Sequence, residues 1–172
     1  IYTIDMLPGY AKQASKAMRG FMLSKNRKVF TVQDEIETNN SGDEIHWFWH
    51  TEAEIEIADD GKSVTLTQAG KQVVVYFDST VDFEIVSRKS LPMETSPQNS
   101  EQLGNLANVM NLVEVIFESG TEPLTFRAVA VPVGAVNYTH SSEIVPIADW
   151  TIEDGEIDSR YDYAEEILID GK

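Results

Sequence analysis

Asp34 is a carboxylate in a row of apolar side chains. If residues 28–36 form a β-strand, side chains alternate between its two faces, and Asp34 then shares a face with Phe30, Val32 and Ile36. A buried ionised carboxylate costs free energy unless it is paired, hydrogen-bonded or bound to a metal. The strand carries no cation on that face, so the compensation must come from elsewhere in the fold.

His50 is the second residue whose position suggests chemistry. In the segment EIHWFWHT, residues 44–51, alternation places His46, Phe48 and His50 on one face. A neighbouring strand that brings the His50 imidazole against Asp34 would suit Zn²⁺ once a third ligand arrives, or would form a hydrogen-bonded pair without metal. We therefore predict Asp34 and His50 as metal ligands.

Both residues also have purely structural explanations. Asp34 near a strand end can accept hydrogen bonds from backbone N–H groups and remain half in water. His50 at the margin of a tryptophan-rich strand can be a hydrogen-bonded packing residue. Both alternatives remain open from the residues alone.

Other catalytic motifs are missing from the sequence. It contains no G-x-S-x-G elbow, no glycine-rich phosphate loop and no H-E-x-x-H. His46 and His50 are about 13 Å apart if their segment is a strand, so they cannot bind one ion. His140 lies in a predicted loop, where we expect it to be exposed. We predict no catalytic residue.

Aromatic and acidic clusters each allow two interpretations. Trp47, Phe48 and Trp49 can stack on sugar rings, or one face can fill the core while the other packs on a neighbouring domain. The acidic run at residues 151–162 is typical of a solvated loop, although carboxylates gathered with carbonyl groups can hold Ca²⁺.

The composition restricts the class of protein. The 172 residues include 13 Lys and Arg against 29 Asp and Glu, giving a formal charge of −16, which disfavours nucleic acid as a partner. Without cysteine, disulfides and thiolate metal sites are excluded. No apolar run approaches the about 18 residues of a membrane-spanning helix. The start at Ile1 suggests a processed protein or a piece of a larger one.

The hydrophobic pattern predicts an all-β protein. Short alternating segments are separated by turn residues, which indicates a single antiparallel β-sandwich of roughly ten or more strands and little helix, spanning residues 1–172. Residues 88–108 read as a long loop and residues 163–172 as a closing strand. Two hairpins are predicted, one with its turn at Asn26 and one joining residues 109–119 to residues 124–134.

Several segments together resemble one known family. YTIDMLPGYAKQASKAMRGFML, VFTVQDEIE and IHWFWHTEAEIEIADDGKSVTLTQAGKQVVVYF occur in the order found in the C-terminal β-sandwich region of heparinase II/III-like polysaccharide lyases. The later PLTFRAVAVPVG and EEILIDGK are similar to that family's final strands. The resemblance is best from Tyr2 to Phe77 and weakest from Arg88 to Asn108.

The resemblance implies a function and a metal site. The family cleaves uronate-containing polysaccharides by β-elimination, in a cleft between an N-terminal helical toroid and the sandwich. It binds zinc through a histidine of an upstream H-x-H, an aspartate matching Asp34 and a histidine matching His50. It further implies a periplasmic or secreted location, an acidic or uronate-containing polysaccharide as substrate, and the helical domain of the same protein as partner.

The chain departs from the family in what it lacks. It has no H-x-H and no helical toroid, and Tyr2, Tyr10 and Tyr138 are not assigned the catalytic role. We therefore expect a C-terminal fragment of a larger lyase that is inactive alone and holds zinc weakly if at all, because two ligands leave an open site.

Two alternatives belong to other functional classes. A non-catalytic domain could bind glycan on a platform of Trp47, Trp49 and Tyr76, which requires these rings to be exposed to solvent. In a purely structural domain, Asp34 and His50 would form only a hydrogen bond.

Overall fold

The computed structural model describes residues 1–25, 27–40, 42, 44–91, 110–118, 120 and 122–151. Ten antiparallel strands form two sheets over these residues, which confirms the predicted all-β sandwich. The predicted closing strand at 163–172 and most of the predicted loop at 88–108 lie outside the described residues. The described part of the chain contains no helix with the length and hydropathy of a membrane span.

A seven-stranded sheet, the large sheet, has the strand order β1-β2-β3-β10-β7-β6-β5, and a three-stranded sheet, the small sheet, has the order β4-β9-β8. One helical turn, α1 (Leu7–Tyr10), links the first two strands, and a 3-10 turn lies at Ile147–Asp149. The strands are β1 (Tyr2–Asp5), β2 (Ala14–Ser24), β3 (Val29–Thr38), β4 (Glu44–Thr51), β5 (Glu54–Ile57), β6 (Ser63–Gln68), β7 (Lys71–Ser79), β8 (Glu84–Lys89), β9 (Asn111–Glu118) and β10 (Leu124–Pro132).

The strand pairing of the first predicted hairpin is confirmed, while Asn26 in its turn lies outside the described residues. β2 and β3 pair antiparallel, and the register closes on Ser24 opposite Val29. The second predicted hairpin is wrong, because β9 pairs with β4 and β8 in the small sheet while β10 pairs with β3 and β7 in the large sheet. The segment between β9 and β10 therefore crosses from one sheet to the other.

Aromatic rings from both sheets meet in the core. Phe126 of β10 lies 5.0 Å from Phe117 of β9 and 5.1 Å from Trp47 of β4, measured between ring centroids. Phe77 of β7 stacks on Phe126 at 5.9 Å. Since Phe126 and Phe77 belong to the large sheet and the other two rings to the small sheet, this cluster holds the two layers together.

Residues 133–151, the C-terminal strap, run over the outer face of the large sheet. Buried Gln33 donates from Nε2 to the Val145 carbonyl at 2.8 Å, and Glu35 accepts the Ile147 N–H at 2.7 Å. Gly20 leaves room for the strap, because a Cβ there would lie 3.0 Å from the Trp150 ring. The odd-numbered residues of β3 therefore contact the strap, while the even-numbered residues of β3 face the small sheet.

The large sheet extends beyond the small sheet at the β1–β2 side. β1 pairs with β2 at the edge of the large sheet, and all four of its residues are exposed. The small sheet ends there at its edge strand β4. The step between the two layers leaves a cleft, which is larger than the cavity beside Asp78 and His140.

Candidate functional site

The inter-sheet cleft lies between β2 and β3 of the large sheet and the edge strand β4 of the small sheet. Its volume is about 570 Å³, which is in the range of small-molecule sites. Apolar side chains of the core form part of its wall, and polar groups are gathered near α1 and β4. The lining residues are Met6, Tyr10, Gln13, Ala14, Ala17, Arg19, Asp34, Ile36, Thr38, Glu44, Ile45, His46, Trp47, Phe117, Leu124 and Phe126.

An ion pair between Arg19 and Asp34 lies in the wall of the cleft. The two residues are directly opposite each other in the β2–β3 register, and the Arg19 Nε and Nη2 groups donate to the two Asp34 oxygens at 2.6 Å each. Asp34 is 3% exposed. The hydrogen bond to Asp34 raises the pKa of Arg19 above its ordinary value, against the lowering effect of burial. This bidentate pair supplies the counter-charge that the buried Asp34 carboxylate requires.

Trp47 lines the same cleft and carries a buried donor. Its side chain is 7% exposed, and its indole Nε1 has no acceptor among the described residues. A buried N–H without a partner costs free energy, and such groups are rare in native proteins. This N–H is therefore a group that a ligand oxygen could stabilise if it reached it.

Tyr10 and His46 also line the cleft, and the His46 imidazole lies on the outer face of β4, stacked beside Phe48. Tyr10 ends α1 and is 53% exposed. The His46 Nδ1 lies 2.8 Å from Glu114 Oε1, and its Nε2 lies 3.3 Å from Glu44 Oε2. These carboxylates fix the orientation of the imidazole at the edge of the small sheet.

Glu114 is the buried centre of a charge network on the small sheet. The Arg88 Nε donates to Glu114 Oε2 at 2.6 Å. Its hydrogen bond with Arg88, and then that with His46, holds the pKa of Glu114 below its ordinary value of 4.5, against burial, which raises it. The network joins all three strands of the small sheet, because Arg88 lies on β8, Glu114 on β9 and His46 on β4.

Glu114→Gln tests this network by its effect on acid stability. Because folding lowers the Glu114 pKa, the unfolded chain binds more protons than the folded chain near and below pH 4.5. The contribution of Glu114 to stability is therefore present above that pH and is lost as the pH falls through the folded pKa. We expect the variant to lose stability most at neutral pH and to approach the wild type in acid. Urea titrations at several pH values measure the difference. A stability difference between the variant and the wild type that increases as the pH is lowered would contradict the assigned network.

The two predicted metal ligands are not brought together. Asp34 points into the space between the sheets, where its oxygens are engaged by Arg19. His50 lies on β4, in the other sheet, and is exposed, with its Nδ1 2.7 Å from Ser90 Oγ. Trp47 and Trp49 of that strand pack on the core, so the alternation directs His50 to the opposite, outer face.

The arrangement of Asp34 and His50 therefore does not fit a shared zinc ion. The described residues contain no group of three or more His, Cys, Asp or Glu side chains placed to hold a metal. The compensating cation of Asp34 is the guanidinium of Arg19. Zinc binding stays a prediction that these residues do not support.

The predicted platform of exposed aromatic rings is also corrected. Trp47 is buried and Trp49 packs against the core between the sheets. Tyr76 lies on the outer side of the large sheet, beneath the C-terminal strap, and stacks on His140 with ring centroids 4.4 Å apart. These three rings therefore form no common surface.

His140 belongs to a second polar cluster, contrary to the expectation that it is exposed. Its Nε2 lies 3.0 Å from Asp78 Oδ1, and Arg127 donates to Asp78 Oδ2 from Nη2 at 2.7 Å. Arg127 also donates to the backbone carbonyls of Glu143 and Ser141. The cluster fixes the strap to the sheet, beside a smaller cavity of about 430 Å³.

No protein-family model matches the sequence, and the search of curated proteins finds no significant match. The candidate site therefore depends on the geometry of the inter-sheet cleft.

Proposed function

We propose that this chain is a glycan-binding β-sandwich domain whose ligand enters the inter-sheet cleft. The observation that carries the proposal is the buried Trp47 N–H, which has no acceptor in the described part of the chain, together with a cleft that is also lined by an exposed tyrosine and a guanidinium. A concave site with apolar walls and a few polar groups is typical of small-molecule and cofactor sites.

Each group has a role that suits a sugar. The face of the Tyr10 ring offers an apolar surface for the C–H groups of a pyranose. The Trp47 N–H supplies a donor for a hydroxyl or carbonyl oxygen. Arg19 keeps its Nη1 group beyond the two nitrogens that Asp34 engages, so it can donate to a second oxygen without breaking the ion pair.

We infer further that the domain belongs to a heparinase II/III-like polysaccharide lyase, in which it binds the polysaccharide without cleaving it. The support is the resemblance, which is best between Tyr2 and Phe77, together with the sandwich fold that it implied. Tyr10, Arg19, His46 and Trp47 of the cleft all fall within that stretch. Because the Asp34 carboxylate is committed to Arg19, it is poorly placed to act as a general base.

Tyr10→Ala should weaken glycan binding about tenfold, since loss of a stacking ring removes somewhat more than 1 kcal/mol and about 1.4 kcal/mol corresponds to a factor of ten. The measurement is titration calorimetry with neutral and uronate-containing oligosaccharides. Tyr2→Ala is the matched control, because Tyr2 is 79% exposed but does not line the cleft. Equal affinities in the two variants would contradict binding at the cleft.

The isolated domain should show no lyase activity. β-Elimination creates an unsaturated uronate that absorbs in the ultraviolet, so the assay follows absorbance during incubation with heparin, heparan sulfate or alginate. We expect no increase in absorbance over time. Sustained turnover by the purified domain, abolished by a cleft substitution such as Tyr10→Ala, would show that this chain contains catalytic groups of its own.

A further inference from the structure

We propose that the sugar unit seated in the inter-sheet cleft carries no carboxylate or sulfate, even where the polymer as a whole is acidic. This inference rests on the proposed glycan binding and specifies the ligand class of that site. It follows from the charges around the cleft and from what each charged group already contacts.

The cleft has one arginine or lysine among its described lining residues, and that cation is committed. Arg19 holds Asp34 with two hydrogen bonds of 2.6 Å. An anionic sugar that drew the guanidinium away would leave Asp34 buried without its counter-charge, which is strongly destabilising. The anion can therefore gain a hydrogen bond from Arg19 Nη1, as a neutral hydroxyl can, but no further ion pair, because Asp34 already balances the Arg19 charge.

Two cations on strands beside the cleft are engaged elsewhere. Lys16 of β2 lies 3.0 Å from Glu35, on the strand face that holds the C-terminal strap. Arg88 lies on β8 and pairs with Glu114 at 2.6 Å. Neither lines the cleft.

Asp34 and Glu44 are the two carboxylates among the described lining residues of the cleft. The Glu44 side chain is 66% exposed, and the formal charge of the whole chain is −16. A carboxylate or sulfate in the cleft would meet this negative potential, and the basic lining residues are already engaged, since Arg19 holds Asp34 and His46 lies between Glu114 and Glu44. Hydroxyl and amide groups carry no charge to be repelled and lose less hydration free energy on entering the cleft.

Two tetrasaccharides that differ only at C6 test the inference. Cellotetraose and the tetraglucuronate obtained by oxidising its C6 hydroxyls are titrated into the domain by calorimetry. We expect cellotetraose to bind at least about tenfold more tightly, a difference of about 1.4 kcal/mol. Its affinity should stay constant between about 20 mM and about 500 mM NaCl, because no ion pair is screened. Equal or tighter binding of the tetraglucuronate would overturn the inference.

Variants separate this inference from the proposed function. If the tetraglucuronate binds more tightly and Tyr10→Ala weakens it, the cleft binds glycan and only the charge preference is overturned. If neither sugar binds, the proposed function and this inference are both overturned.

Glu44→Gln tests the electrostatic origin of the preference. The substitution should reduce the ratio of the cellotetraose affinity to the tetraglucuronate affinity by a factor of about two to three, as expected for a weak, partly screened repulsion. The control is Glu56→Gln, because Glu56 is exposed on β5 at the opposite edge of the large sheet. A ratio that responds to neither substitution would overturn the proposal that cleft charge selects the ligand.

Discussion

Arg19→Met should lower the free energy of unfolding by about 3–5 kcal/mol, the range found when one partner of a buried ion pair is removed. Methionine keeps an unbranched apolar stem, so the main change is the loss of the charge and of the two hydrogen bonds to Asp34. Asp34 is left 3% exposed with no cation opposite it. Urea denaturation followed by tryptophan fluorescence measures the loss.

Lys16→Met is the matched control on the same strand. Lys16 is 41% exposed in its pair with Glu35, and exposed pairs contribute about 0–1 kcal/mol. After the substitution Glu35 still accepts the hydrogen bond from the Ile147 N–H. Similar losses in the two variants would contradict the special role of the Arg19–Asp34 pair.

The same measurement with a chelator distinguishes this pair from a metal site. If Arg19 is the counter-charge of Asp34, EDTA leaves the stability of the wild type unchanged. If zinc holds Asp34, EDTA lowers the stability of the wild type, because metal binding stabilises the folded state in which the site exists.

Phe126→Ala is expected to cost about 3–5 kcal/mol, as buried Phe→Ala substitutions do. Phe126 is 1% exposed and contacts Phe117 and Trp47 of the opposite sheet. Its removal opens a void where the two sheets are joined, beside the cleft that Phe126 also lines. Thermal and urea unfolding should both shift, and fluorescence of the neighbouring Trp47 should report a looser environment.

Phe48→Ala is the control for this core substitution. Phe48 is 37% exposed on the outer face of the small sheet, so its removal should cost less than about 1 kcal/mol. A loss at Phe48 as large as that at Phe126 would mean that the outer face of the small sheet, instead of the space between the sheets, is the packed side.

Local patterns predicted the strands well because alternation is a property of each strand alone. The period of two placed Asp34 on the same face as Val32, and both are buried toward the small sheet. It also placed Phe48 opposite Trp47, as the exposed and buried faces of β4 show. No information from distant parts of the chain is needed for such assignments.

The partner of Asp34 lies across the predicted hairpin and not on its own strand. In the observed register Ser24 lies opposite Val29, and Arg19 lies opposite Asp34 five residues further along each strand. Cross-strand neighbours, and not only residues of one strand, decide how a buried charge is paired.

The pairing of β9 and β10 could not be predicted from neighbouring sequence. Both segments are apolar and close together along the chain, which favours a hairpin, yet β9 lies in the small sheet and β10 in the large sheet. Long-range contacts accompany this arrangement, including those of Phe117 and Phe126 with rings far away in the sequence.

The polar clusters depended on the same long-range arrangement. His46 meets Glu114 across 68 positions and His140 meets Asp78 across 62 positions. The sequence showed only isolated histidines, because neither carboxylate stands near its partner along the chain. Asp34 and His50 would converge if the consecutive strands β3 and β4 were neighbours in one sheet. They lie in different sheets.

The most direct test of glycan binding at the inter-sheet cleft is amide chemical-shift mapping on the isotope-labelled domain during titration with cellotetraose. We predict that the largest shifts fall on β2, β3 and β4 at cleft residues such as Ala17, Arg19 and His46. The region around Tyr76 and His140, on the outer face of the large sheet, should remain unchanged. Shifts concentrated in that outer region, or no shifts at saturating sugar, would contradict the account.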